Sequence, residues 1–309
     1  MPGSIPLIRR TLAFRPPYDW HAMLSYLAGR ATPGVELVTA EHGGCYRRTV
    51  RLGSAAGAIA VFAAPDSTAL LLEITPSLHS VEDALVARLR RLLDLDAEPR
   101  AIGACLAADP ALAPLIAARP GLRVPGAVDG FELALRTVLG QQVSVRGATT
   151  LAGRLVALLG EPIDAAPLTH LPVTPERLAD AGAERVATIG LPRARAEAIV
   201  GLARAVASGE LPELASEAPV ADPAAFITRF TALRGIGPWT ASYVTMRALG
   251  CPDAFPEGDL GLRKAAGGVS AAQLRATAER WRPWRSYAAH HLWASLAQSP
   301  GAAGLSRSA

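Results

Sequence analysis

Leu233-Arg234-Gly235-Ile236-Gly237-Pro238-Trp239-Thr240-Ala241 is the stretch on which the reading of this chain turns. Asp222-Pro223 starts a helix that runs to Leu233, with aspartate as cap and proline in the first turn. Gly235 and Gly237 open backbone angles closed to other residues, so the chain can turn back tightly. Pro238 suits the first position of a second helix, which runs to Leu249 and stops at Gly250. Two helices joined this way aim several free N–H groups at one spot, a nest that holds a phosphate oxygen without reading sequence. The alternative is an ordinary tight helix turn. Twenty residues beyond Trp239 comes Pro256-Glu257-Gly258-Asp259-Leu260-Gly261-Leu262-Arg263-Lys264. Asp259 reads as a helix N-cap after a glycine. A capped carboxylate is held in one rotamer, stays ionised and can face a reacting group.

Working outward, the chain divides in two. Residues 1–95 carry β-like runs at Thr11–Phe14, Val35–Thr39, Tyr46–Leu52, Ala58–Ala63 and Leu70–Ile74, separated by Gly, Pro and Ser. A helix capped by Asp19 spans Trp20–Gly29, and Ser80 starts another to Leu93. This is a small α+β layer. Residues 96–298 read as helical. Asp129 with Glu132 makes a capping box for Phe131–Leu139, Ser144 caps Val145–Leu159, and Pro175 and Pro192 start two more helices. Ser270 with Gln273 boxes a helix ending near Trp281, and Arg285–Ala297 is the last. The tail, residues 299–309, is small and polar and is expected to fray.

Composition sets the limits. The 309 residues are 50% hydrophobic and 19% charged, which suits a globular protein and excludes wholesale disorder. No run approaches the roughly 18 unbroken apolar residues of a membrane helix, and no apolar segment follows the basic residues of Met1–Leu12, so neither membrane span nor secretory signal is expected. The net charge of +4 permits an anionic partner without demanding one. Lys264 is the single lysine. Cys45, Cys105 and Cys251 are dispersed, which argues against disulfides, zinc or an iron–sulfur cluster and fits a reducing cytoplasm.

The hairpin and downstream aspartate together resemble the helix–hairpin–helix superfamily of DNA glycosylases, and within it the 3-methyladenine DNA glycosylase II family. The further marks are Arg15-Pro16-Pro17-Tyr18-Asp19-Trp20 with Met23-Leu24, then Leu139-Gly140-Gln141-Gln142-Val143-Ser144-Val145, then Trp281-Arg282-Pro283-Trp284-Arg285-Ser286-Tyr287-Ala288 with His291-Leu292-Trp293. The resemblance runs from about residue 10 to 297. It implies an α+β fold: an N-terminal layer resembling half of a TATA-binding-protein fold, then an all-α core of two lobes with the active-site cleft between them.

The resemblance also implies roles. Asp259 stands where the family's catalytic aspartate stands, and a fixed carboxylate suits a reaction that builds positive charge on a sugar. Trp239 stands where bifunctional relatives carry a Schiff-base lysine, so a monofunctional enzyme with water as nucleophile is expected, without strand cleavage. Trp239, Tyr243, Trp293 and Tyr26 are expected to wall an aromatic cleft that attracts a cationic, N-alkylated purine, unless they are plain core. The partner is double-stranded DNA containing alkylated bases, the target base is flipped out, and the protein acts as a monomer in the cytoplasm, on the nucleoid, without cofactor. Arg234, Gly235, Ile236, Gly237, Gln141 and Gln142 are the expected DNA contacts. Gln142 occupies the place of an apolar wedge, usually leucine; it fills the vacated gap and bonds the orphaned base, or is a surface residue. Carbonyls near Leu233 and Ile236 are the place for a monovalent cation. Arg263, Arg282 and Arg285 are further phosphate candidates. His290 and His291 with Ser286 lack an acid partner, so a hydrolytic triad is not expected. The rival readings are a non-catalytic hairpin DNA-binding protein, a bifunctional oxidised-purine glycosylase, and the repair part of an alkylation-sensing fusion, since no cysteine-rich methyl-acceptor segment precedes residue 10.

Overall fold

Strands β1 (Ile8–Ala13), β2 (Glu36–Thr39), β3 (Cys45–Leu52), β4 (Ala55–Ala63) and β5 (Ala69–Ile74) form one antiparallel sheet in the order β1-β5-β4-β3-β2. The computed structural model describes residues 7–64, 68–215 and 220–298; the tail predicted to fray lies outside them. Period-two alternation sends Tyr46, Val50, Leu52, Ile59, Val61, Leu70, Leu72 and Ile74 to one face. That face is covered by Trp20, Met23, Leu24 and Leu27 of α1 (Trp20–Ala28) and by Leu85, Leu89 and Leu92 of α2 (Glu82–Leu92). The expected strands are present, most with earlier starts. β4 begins three residues before its sequence signal because Leu52 pairs with Ala55 across a two-residue turn at Gly53-Ser54, and Ala55–Gly57 are too small to look like strand. The helix expected from Ser80 is corrected: Pro76–Val81 is a 3₁₀ turn, and α2 starts at Glu82 with Val81, which offers no capping side chain.

The rest is helical apart from the hairpin β6 (Pro162–Ala165) and β7 (Leu168–His170), which the sequence reading missed. The helices are α3 (Pro99–Leu106), α4 (Ala113–Ala118), α5 (Gly130–Leu139), α6 (Val145–Leu159), α7 (Pro175–Ala187), α8 (Arg193–Ala207), α9 (Pro223–Ala232), α10 (Pro238–Arg247), α11 (Leu260–Ala265), α12 (Ala271–Ala278) and α13 (Arg285–Gln298). They close two cores. Phe131, Leu135, Leu155, Ile199, Phe226, Phe230 and Val244 belong to one. In the other, Ile102, Leu106 and Ile116 of α3 and α4 pack on Met246, Leu262, Leu274, Trp281 and Leu292 near the far end of the chain. Ser144 and Asp222 cap as expected, and Ser270–Gln273 forms a complete box. The box at Asp129 is only half made. Asp129 accepts the Glu132 N–H, but the Glu132 carboxylate turns to Arg48 on β3 instead (2.6 Å). Arg48 is 3% exposed, and a buried guanidinium needs a carboxylate partner more than a helix end needs a second cap.

Candidate active site and nucleic-acid interface

The hairpin forms between α9 and α10, and its two glycines do different work. Gly235 has φ +84°, and a Cβ there would lie 2.6 Å from the Ala198 Cβ of α8, so both backbone angle and close packing demand glycine. Gly237 has φ −95° and open space around it. Of the two glycines that open angles closed to other residues, only Gly235 uses one; Gly237 serves as the cap position of α10. Ile236 is buried and anchors the turn, leaving the first N–H groups of α10 without helical partners. The Gln141 amide donates to the Gly235 carbonyl (3.0 Å) and to Thr240 Oγ1 (3.2 Å), tying the α5–α6 turn to the hairpin. Arg234 is 81% exposed with Glu197 3.2 Å away. The Leu233 carbonyl already accepts the Ile236 N–H (3.1 Å).

Asp259 caps α11, accepting the Leu262 N–H on Oδ1 (2.8 Å). Two indoles complete its shell. Trp239 Nε1 of α10 donates to Oδ2 (2.8 Å), and Trp293 Nε1 of α13 donates to Oδ1 (2.9 Å). Three donors from three helices thus fix one half-buried carboxylate, and bonds to a charged acceptor are the stronger kind. Gly261 makes room: a Cβ there would sit 3.0 Å from Asp259 Oδ1 and 3.3 Å from the Trp293 indole.

Behind the carboxylate opens a cleft of about 1120 Å³. Trp239 stacks on Tyr243 with centroids 5.3 Å apart, and Tyr243 meets Trp293 edge-on at 6.1 Å. Tyr26 of α1 reaches in, its hydroxyl 2.8 Å from that of Tyr243. All four expected aromatics therefore line one cleft with Asp259. The sequence reading missed what lies behind them. Arg247, 4% exposed, donates through Nη1 to Tyr243 (2.7 Å) and to Tyr26, and through Nη2 to the Gly126 carbonyl (3.0 Å). Arg30 lies 3.8 Å over the Tyr26 ring. Burial would raise the Tyr243 phenol, but the Arg247 and Arg30 charges and the Tyr26 hydrogen bond bring it down to about 8. Tyr26, with burial dominant over the same charges, is pushed up to about 12. His290 also faces the cleft, 5.2 Å from the Trp293 ring. The spacing of Tyr26 to Arg30 and Tyr243 to Arg247, four residues in each case, is the signal that could have found the arginines.

Other expected residues fall in different places. Gln142 sits exposed at the α5–α6 turn in left-handed backbone (φ 57°), flanked by Val143 and Val145, 39% and 47% exposed. Arg263 is spent on the Val269 carbonyl (2.9 Å). Arg285 bonds Asp253 and Glu279, as does Arg282, so neither presents a free fork to phosphate. Ser286 Oγ donates to the carbonyls of Cys251 and Ala254 (2.8 and 2.7 Å), and no triad is assembled. Among the described residues no group of His, Cys, Asp and Glu is placed to hold a metal ion, and no helix is long and apolar enough to cross a membrane.

Comparison with known proteins gives concordant matches. Residues 9–129 match the AlkA N-terminal domain model, and residues 135–284 match the HhH-GPD superfamily base excision DNA repair protein model. The chain is 38% identical to DNA-3-methyladenine glycosylase 2 of Escherichia coli, over 92% of this chain and 96% of that one. It is 43% identical to a probable bifunctional transcriptional activator/DNA repair enzyme AlkA of Mycobacterium tuberculosis, covering 95% of this chain but spanning only 58% of that protein's length. Among solved structures, a 3-methyladenine DNA-glycosylase from Archaeoglobus fulgidus superposes with a TM-score of 0.77 at 26% identity, over 93% of this chain and 97% of the other.

Proposed function

Because the chain belongs to the HhH-GPD superfamily of base excision DNA repair proteins and carries its AlkA-type N-terminal domain, we propose that it is a monofunctional DNA glycosylase that hydrolyses the N-glycosidic bond of alkylated purines, of the 3-methyladenine type, after flipping them from the duplex. The supporting observation is the Asp259 carboxylate, held by the Trp239 and Trp293 indoles at the mouth of an aromatic cleft. Cleaving the bond from sugar to base leaves positive charge on the sugar. Asp259, already oriented, stabilises that charge and directs water to the anomeric carbon. A cationic N-alkylated base takes up the bonding electron pair and leaves neutral, its positive charge passing to the sugar, so it needs little acid help. The ring faces of Trp239, Tyr243, Trp293 and Tyr26 attract it while it is cationic.

The hairpin from Arg234 through Gly237 is proposed to grip backbone phosphate, with Gln141 keeping it in register. Gln142, exposed beside Val143 and Val145, is proposed as the wedge that enters the vacated gap. A monovalent cation near the Leu233 and Ile236 carbonyls belongs to the same proposal. So do the division into a layer at 1–95 and a helical unit at 96–298, monomeric action and a cytoplasmic site. Trp239 cannot form a Schiff base, and Lys264 lies beyond Asp259 on α11. The test is chromatography of bases released from methylated DNA, with borohydride trapping alongside. Release of N-alkylated purines with no covalent adduct and no strand nicking supports the reading. A trapped adduct, or no release, overturns it.

A further inference from the structure

His290 sits on α13 with 6% of its surface exposed, among the residues that line the aromatic cleft. Its ring stands edge-on to Trp293 at 5.2 Å and tilted to Tyr26 at 5.7 Å. Its Nε2 is buried and has no hydrogen-bond partner among the described residues. Burying a polar atom without a partner costs stability, and a folded protein rarely keeps one without use. Among the described residues, the other cleft-lining side chain with an unpartnered buried atom, Arg123 at Nε, spends the rest of its guanidinium on the carbonyls of Ala97, Arg15 and Pro17. His290 has no such employment at Nε2, and its side chain belongs to the wall of the cleft.

The neighbourhood decides what His290 offers. Burial, then the positive charges of Arg247 and Arg30, hold its imidazole well below the usual histidine range, so it is neutral. A neutral imidazole brings one N–H and one lone pair. Two guanidiniums lie at this end of the cleft, so the atom of a bound base that meets His290 is favoured there when it is a hydrogen-bond acceptor, even on a base that is cationic as a whole. Trp293 relates His290 to the chemistry: its Nε1 bonds Asp259 while its ring stands perpendicular to His290 at 5.2 Å. Asp259, Trp293 and His290 line the same cleft, so a base held with its glycosidic nitrogen at Asp259 shares that cavity with His290.

We propose that His290 is a specificity-determining residue whose Nε2–H donates to the carbonyl edge of a flipped, alkylated guanine, favouring it over an alkylated adenine, whose corresponding edge is an amino donor. This rests on the glycosylase reading above. The experiment uses DNA treated with dimethyl sulfate, which carries both 7-methylguanine and 3-methyladenine, and measures single-turnover release of each by the full chain. In His290→Leu the ratio of 7-methylguanine to 3-methyladenine release is expected to fall about tenfold, the order expected when a buried polar contact to substrate is lost. His290→Gln, which keeps an N–H donor, is expected to recover part of that ratio. Because leucine removes an unpartnered buried polar atom, the unliganded His290→Leu protein is also expected to melt higher. An unchanged ratio in both variants overturns the proposal, as does a ratio that rises. Failure of the wild type to release either base refutes the glycosylase reading instead. If His290→Leu does not fold, His290→Gln against His290→Phe carries the same comparison.

Discussion

Replacing Trp239 by phenylalanine tests the carboxylate clamp with little change of shape. The phenyl ring can keep its stack on Tyr243, now at 5.3 Å, while the indole donor to Asp259 Oδ2 at 2.8 Å is lost. A hydrogen bond to a charged group is worth about 1.5–3 kcal/mol net. Trp293 and the Leu262 N–H still hold Oδ1, so the carboxylate keeps its place but gains freedom about one axis, and the lower part of that range applies. At 1.36 kcal/mol per decade, this is a loss of about tenfold to thirtyfold in the chemical step. The assay is single-turnover release of 7-methylguanine from a duplex carrying one such base, with duplex affinity measured separately. The rate constant should fall while affinity stays within about threefold, because the lost contact is to Asp259 and not to DNA. Trp239→Phe and Trp293→Phe together should cost less than the product of the single effects or more, but not equal it, since both act on one group. An unchanged rate constant, or a loss seen wholly in affinity, refutes the claim that the indoles position the carboxylate.

The hairpin glycines should part company: Gly235→Ala, forced to φ +84° against Ala198, should lower thermal stability by about 1–2 kcal/mol and weaken DNA binding, whereas Gly237→Ala should leave stability nearly unchanged in the same melts. Tyr243 should titrate near pH 8, seen as a rise in tyrosinate absorbance that Tyr243→Phe abolishes, because Arg247 and Arg30 outweigh its burial. Asp94 is pushed up by burial to about 7 from an ordinary value of 3.8, so between those values the unfolded chain has lost a proton that the folded chain keeps; stability should fall as pH rises through that window. Asp94→Asn should show less of this fall when urea midpoints at pH 5 and pH 8 are compared.

Much of this architecture was legible because its signals are local. Ser144, Asp222, Asp259 and Ser270 announce helix starts by chemistry that acts within one turn, and the sheet strands announce themselves by alternation. Trp239, Tyr243 and Trp293 were recognisable as cleft residues through their place in motifs. What stayed hidden depends on distant partners. Glu132 leaves its own helix end for Arg48, eighty-four residues away in sequence. Arg247 looks like an ordinary basic end to a helix until its guanidinium is seen bonded to Tyr26 and Tyr243. His290 was weighed only as a partner for Ser286, which instead bonds backbone carbonyls. The double indole clamp was invisible for the same reason: a tryptophan reads as a ring, and nothing near Trp239 or Trp293 in sequence says where its N–H points.

The central claim is that Asp259 carries the chemistry and not the binding. Its direct measurement compares wild type with Asp259→Asn on one duplex containing a single 7-methylguanine, recording base release by chromatography and affinity by titration. Asparagine can still cap α11 and accept an indole N–H, but brings no charge to the sugar. The expected result is release reduced at least a thousandfold, on the order of a lost electrostatic stabiliser, with affinity within about threefold of wild type and the strand intact in both. Release at an undiminished rate by the asparagine variant would contradict the account.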